Sequence, residues 1–162
     1  MRISLSYTGK SGLYVSVTPV GMISVLSRLR EFRIPNLYGI SKLHATLLYS
    51  RDRAPALVVA QQLLTSGQGT RYPAKPIKFE YWEGHDKVGY LVLKLESKAL
   101  VERHKEWAEL GQHSFEYTPH MTIAKDLPLT PELKSTIEKL NSLTWPAIYF
   151  DNEKIEDIDE SK

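Results

Sequence analysis

The sequence predicts an α+β fold in which each half of the chain carries one copy of the same short strand motif. Three observations support this. His44-Ala45-Thr46-Leu47 and His120-Met121-Thr122-Ile123 both read His, apolar, Thr, apolar, and each lies in an apolar run, 43–49 and 119–124. The two copies are close to half the chain apart. The segments around them alternate between strand and helix periodicity in a recurring order: strand, helix, motif strand, then strands, helix, motif strand, helix, strand.

Residues 13–17 alternate apolar with smaller side chains and read as a strand ended by Pro19. Over 20–32, Met22, Ile23, Val25, Leu26 and Leu29 fall at helical spacing with Arg28, Arg30 and Glu31 outside. This is an amphipathic helix that stops before Pro35. The first motif strand spans 43–49, and 51–55 is a loop. Residues 56–64 fit either a short helix or a strand through Val58 and Val59. Gly67, Gly69, Pro73 and Pro76 make 66–76 loop-like. Residues 77–82 and 90–96 form a hairpin around the turn 84–89. Ser97 caps a helix over 99–110 that ends at Gly111, and 112–118 lead into the second motif strand. Thr130 and Pro131 start a helix running to about residue 143. A short strand covers 147–150, and 151–162 read as a solvated acidic tail.

The 162 residues suit one domain, or two small lobes sharing one core. With 42% apolar and 25% charged residues the composition is that of an ordinary globular protein. The absence of cysteine excludes disulfides, thiolate metal sites and a thiol nucleophile, and it fits a reducing cytoplasm. No apolar stretch approaches the roughly 20 residues that cross a bilayer, and 1–10 lack a secretory layout. No membrane association is expected. A net charge of +2 suits an anionic ligand but is too mild to demand duplex nucleic acid.

In a strand, residues i and i+2 share a face. His44 therefore stands beside Thr46 and His120 beside Thr122, with Ala45, Leu47, Met121 and Ile123 turned to the core. Two such strands side by side would gather two imidazoles and two hydroxyls in one pocket. An imidazole has an ordinary pKa near 6.5, so at neutral pH one His can be neutral and the other protonated. The first takes a proton from an attacking hydroxyl, and the second gives one to the leaving oxygen. The Thr hydroxyls can hydrogen-bond the non-bridging phosphate oxygens. No metal or cofactor is needed. His85, His104 and His113 make no metal-ligand spacing, and neither a phosphate-binding glycine loop nor a Gly-x-Ser-x-Gly elbow is present.

Paired His-x-Thr motifs at this separation resemble the two-histidine phosphoesterase superfamily. The resemblance implies a bilobal fold of two antiparallel-sheet lobes with outer helices around a central cleft. It also implies metal-independent cleavage of phosphodiesters, with His44, Thr46, His120 and Thr122 as the catalytic set. Residues 12–17, 43–46, 81–86 and 118–122 are further similar to the phage anti-CBASS protein 1 family. That similarity implies a cyclic di- or trinucleotide substrate with 3′-5′ linkages, such as 3′,3′-cGAMP. It implies action in the cytoplasm of the host cell against bacterial antiphage signalling. A monomer is expected. An RNA 2′,3′-cyclic or 2′-5′ phosphodiesterase, and a non-catalytic nucleotide sponge, are the alternatives.

Unpaired bases are held by stacking on aromatic rings. Tyr14, Trp82 and Tyr117 are candidates. Trp145, beside Pro146, fits a helix end better. Gly111 and Gln112 are further candidate contacts in the approach to the second motif, and Glu153 could accept from a base edge.

Overall fold

Apolar–polar alternation gives the strands one buried face, and helices pack on β2, β3 and β6. The computed structural model describes residues 7–9, 12–51, 55–111 and 116–158. The elements in order are β1 (Leu13–Val20), α1 (Ile23–Glu31), a 3-10 turn (Ile40–Lys42), β2 (Ala45–Ser50), α2 (Leu57–Ser66), β3 (Tyr72–Glu83), β4 (Val88–Glu96), α3 (Lys98–Gly111), β5 (His120–Pro128), α4 (Pro131–Asn141) and β6 (Ile148–Glu156).

The six strands close into one antiparallel sheet in the order β1-β2-β5-β4-β3-β6. Two three-stranded halves, β6-β1-β2 and β5-β4-β3, meet along two thin seams. At one seam only Ala45 and Met121 pair. At the other, Tyr72, Pro73 and Ala74 pair with Phe150, Tyr149 and Ile148. Exchanging β1 with β4, β2 with β5 and β3 with β6 leaves the cyclic order unchanged. The topology is therefore two-fold symmetric, and each half of the sheet borrows its third strand from the other half of the chain. The motif strands β2 and β5 are the neighbours across one seam.

On the apolar face, α3 packs on β2 and β3, α4 on β3 and α2 on β6. Val15, Leu47, Phe79, Leu93, Trp107, Met121 and Phe150 lie at its centre, each no more than 1% exposed. The side chains that alternate with these, among them His44, Thr46, His120 and Thr122, lie on the opposite face.

Several boundaries differ from the sequence expectation. β1 continues through Pro19 because β2 leaves it after Val17, so only β6 pairs with the last three residues. A proline is tolerated on an open edge that needs no N–H donor. α1 accordingly starts at Ile23 rather than at residue 20, burying Val25, Leu26 and Leu29. The ambiguous 56–64 segment is helical, with Ala60 and Leu64 inward and Val58 64% exposed. β3 starts at Tyr72, inside the expected loop. Pro73 lies on the short seam with β6, and Pro76 lies at a bulge where the register to β4 shifts.

The largest difference is at the C-terminus. Residues 151–156 are not a free acidic tail but the second half of β6, with Ile155 fully buried among them. Asp157 then accepts from the backbone N–H and hydroxyl of Thr8. The capping expectations match: Ser97 accepts from the N–H of Leu100 and Thr130 from that of Leu133. The hairpin turn is tight, with Asp86 and Lys87 at φ 59° and 60° and Val88 N–H bonded to His85 O. Two successive positive φ values make a type I′ turn, whose twist suits a hairpin.

Candidate active site

Ala45 and Met121 face each other across the seam, both fully buried. Their neighbours must point the other way, into the cleft. Antiparallel pairing of Ala45 with Met121, continued by one residue each way, sets His44 opposite Thr122 and Thr46 opposite His120. The four side chains form a two-by-two patch. Each His faces the other motif's Thr, and the histidines lie on a diagonal. Opposed Cβ atoms stand about 4.5–5.5 Å apart and diagonal ones about 7–8 Å. A phosphate fits between two imidazoles placed that way.

The imidazoles are held by one shared device. Nδ1 of His44 is 2.9 Å from Lys42 O, and Nδ1 of His120 is 2.8 Å from Thr118 O. A carbonyl only accepts, so each Nδ1 carries a proton and each Nε2 is the end free to exchange one. Each ring is thus tied to the carbonyl two residues before it. The two sites are equivalent in construction, so either His can be base or acid.

Tyr14 stands beside the first motif. Its hydroxyl is 3.0 Å from Oγ1 of Thr46, and its ring meets His44 edge-on at 6.4 Å. Burial pushes the Tyr14 phenol above its ordinary pKa, against the opposing hydrogen bond to Thr46. Tyr14 therefore keeps its proton and can donate it to Oγ1, leaving the Thr46 hydroxyl hydrogen for a ligand. Trp82 lies against the second motif, with its ring centroid 4.6 Å from that of His120 at a 51° tilt. Its indole N–H is fixed on Glu80, whose carboxyl is held below the usual range by this bond and by Lys78.

A cavity of about 320 Å³ opens beside Thr46 and His120, lined also by Trp82, Tyr117, Tyr49 and His104, whereas His44, Thr122 and Tyr14 lie outside its lining. The remaining residues expected from sequence are placed differently. Gly111 is the last residue of α3, and Gln112 lies outside the described residues. Glu153 faces away from this cavity. Its side chain is 3% exposed and binds the guanidinium of Arg103 through both oxygens, at 2.8 and 2.6 Å. Trp145 packs at the end of α4, as the sequence reading expects, donating to Leu140 O.

Sequence reasoning missed His104, Tyr49 and Glu156. Glu156 pairs across strands with Tyr14 and so shares its face of the sheet. His104 carried a signal in the sequence: it falls on the apolar stripe of α3 between Leu100 and Trp107, where a polar residue needs a partner.

Comparison with known proteins decides the family. Residues 11–162 match the family described as anti-CBASS protein Acb1. The chain belongs to the Acb1 family. It is 32% identical over 118 residues to the Acb1 protein of Vibrio phage KVP40, covering 71% of this chain and 72% of the relative. It is 30% identical over 118 residues to that of Enterobacteria phage T4, covering 70% and 72%. Among solved structures it is similar to the TT0787 protein of Thermus thermophilus, with TM-score 0.52 and 17% identity over 90% of this chain and 84% of that one. It is also similar to Escherichia coli LigT complexed with 3′-AMP, with TM-score 0.50 and 13% identity over 90% and 86%. These structural likenesses show that the chain shares the fold of these two proteins. As an Acb1 protein, the chain is a phosphodiesterase of cyclic nucleotides that counteracts CBASS immunity. No described helix is long and apolar enough to cross a membrane.

Proposed function

We propose that the protein opens cyclic di- and trinucleotides with 3′-5′ linkages, such as 3′,3′-cGAMP, without a metal ion, in the cytoplasm of the infected cell. The observation that supports this reading is the Ala45–Met121 register, from which strand alternation puts each motif His opposite the other motif's Thr. Nε2 of one His takes the proton of a ribose 2′-OH. The 2′-oxygen bonds to the adjacent phosphorus, the bond from phosphorus to the 5′-oxygen breaks, and Nε2 of the other His protonates that oxygen. The ring opens to a linear product ending in a 2′,3′-cyclic phosphate. Attack of water with the roles reversed converts this end to a 3′-phosphate. Thr46 and Thr122 donate to the non-bridging oxygens as charge builds on them.

Trp82 is the base platform this geometry favours, because its ring already borders both His120 and the cavity. Trp82→Ala is expected to raise KM for 3′,3′-cGAMP about tenfold, within the worth of one stacked base. It should change kcat little, and steady-state kinetics reads both values.

The test of function is incubation in EDTA with 3′,3′-cGAMP and, separately, with an RNA ending in a 2′,3′-cyclic phosphate. Opening of the cyclic dinucleotide at the higher rate is expected. Turnover of the RNA alone would assign the protein to RNA ends. Retention of intact cyclic dinucleotide would make it a sponge.

A further inference from the structure

The motif strand β2 has an irregularity next to its catalytic threonine. Ser16 pairs with Thr46 and Val15 with Leu48, so Leu47 is skipped by β1 and forms a bulge. On its other side, β2 shares only the Ala45–Met121 pair with β5. β5 is instead continued by the segment before β2, where Leu37 bridges Ala124 and Tyr38 N–H bonds to Ile123 O. Past Ala45, then, no strand among the described residues pairs with β2 on its β5 side.

Two side chains from the second half of the chain take over there. The Tyr117 hydroxyl donates to Thr46 O at 2.8 Å. His104, only 6% exposed on α3, reaches Leu47 O with Nδ1 at 2.6 Å, so that nitrogen carries its proton. The two rings lie face to face, with centroids 4.2 Å apart and planes within 8°. Burial raises the Tyr117 phenol above its ordinary pKa, which keeps it a donor at neutral pH. Two consecutive carbonyls of the bulge are thus clamped by one stacked pair. One face of Tyr117 is covered by His104, so the ring is a strut more than a platform for a base.

We propose that Tyr117 and His104 are positioning residues for Thr46. A bulge re-aims the side chains beside it, and the stacked pair locks this one so that the Thr46 hydroxyl is held against the scissile phosphate. The inference rests on the reading above in which Thr46 donates to a phosphate oxygen. In this proposal His104 acts through the strand, by the bond from Nδ1 to Leu47 O.

A double-mutant cycle with 3′,3′-cGAMP tests this, comparing wild type, Tyr117→Phe, Thr46→Ala and the double variant, with thermal unfolding alongside. Tyr117→Phe keeps the stacked ring and loses only the hydroxyl. It is expected to lower kcat about tenfold with KM little changed, as a misplaced catalytic group would. In the Thr46→Ala background the same change should cost less than about twofold, because the group it positions is gone. Equal losses in both backgrounds would overturn the proposal. His104→Asn, whose amide can replace the Nδ1 donor, should retain kcat within about threefold, while His104→Leu should fall as Tyr117→Phe does. If His104→Leu fails to fold, the Tyr117 cycle and His104→Asn still decide. Turnover by wild type that drops in Thr46→Ala upholds the functional reading whichever way the cycle falls. Full activity of Thr46→Ala overturns both.

Discussion

Replacing either His44 or His120 with alanine lowers kcat by about 10²–10⁴, the usual worth of one acid or base, while the protein stays folded. Both rings stand on the cleft face, outside the apolar core made by Ala45, Leu47, Met121 and Ile123, so their loss opens no cavity there. The two losses should not multiply. Once one His is gone, concerted transfer is already broken, and the double variant should be close to the worse single one. Asparagine sharpens the test. His44→Asn and His120→Asn can keep the bond to the Lys42 or Thr118 carbonyl made by Nδ1, yet have no Nε2. They should be as inactive as the alanine variants. This is the reverse of the outcome expected at His104, where Nδ1 is the working atom. Kinetics with 3′,3′-cGAMP and circular dichroism melts check both halves of this prediction, and near-normal turnover by either alanine variant would remove the paired-histidine mechanism.

The largest effect on stability is expected at Arg103. Its guanidinium is 5% exposed and binds Glu153 through two nitrogens, Leu63 O and Ser66 Oγ on α2, and Glu106 on α3. Tyr72 of β3 adds its hydroxyl to Glu153. One side chain thus ties two helices to β6, and through Glu153 to β3. Arg103→Met would leave the Glu153 carboxylate buried beside a phenol with no cation, a loss of about 3–5 kcal/mol. At this chain length that lowers Tm by roughly 10 °C. The double variant Arg103→Met/Glu153→Leu removes the stranded charge and should recover much of the loss. A double variant no more stable than Arg103→Met would show that packing, not charge, carries the effect. Catalysis per folded molecule should change less than stability, because neither residue borders the cavity beside Thr46 and His120.

The sharing of one face by His and Thr in each motif was legible in the sequence, because strand period ties each His to the Thr two residues on. Which residues oppose each other was not, since one pairing, Ala45 with Met121, sets the register and nothing local encodes it. The His104 clamp joins residues 57 apart along the chain, and the bulge it holds exists only as a mismatch between β1 and β2. Glu153 and Glu156 show a second limit. Their charges made 151–162 read as solvated tail, yet Ile155 between them is core. The bulge in β6 near Asn152, at φ 53°, resets the strand phase so that Glu153 meets Arg103 while Glu156 stands by Tyr14. Pro73 and Pro76 hid the start of β3 because a proline breaks a regular ladder but not a seam or a bulge.

Attack by the neighbouring ribose hydroxyl is the central claim, and substrate chemistry tests it most directly. Wild-type protein in EDTA should open 3′,3′-cGAMP to a linear product bearing a 2′,3′-cyclic phosphate or 3′-phosphate, read by mass spectrometry. It should leave the analogue lacking both 2′-hydroxyls intact over the same time. Cleavage of that analogue at a comparable rate would mean that water attacks directly, and would contradict the account.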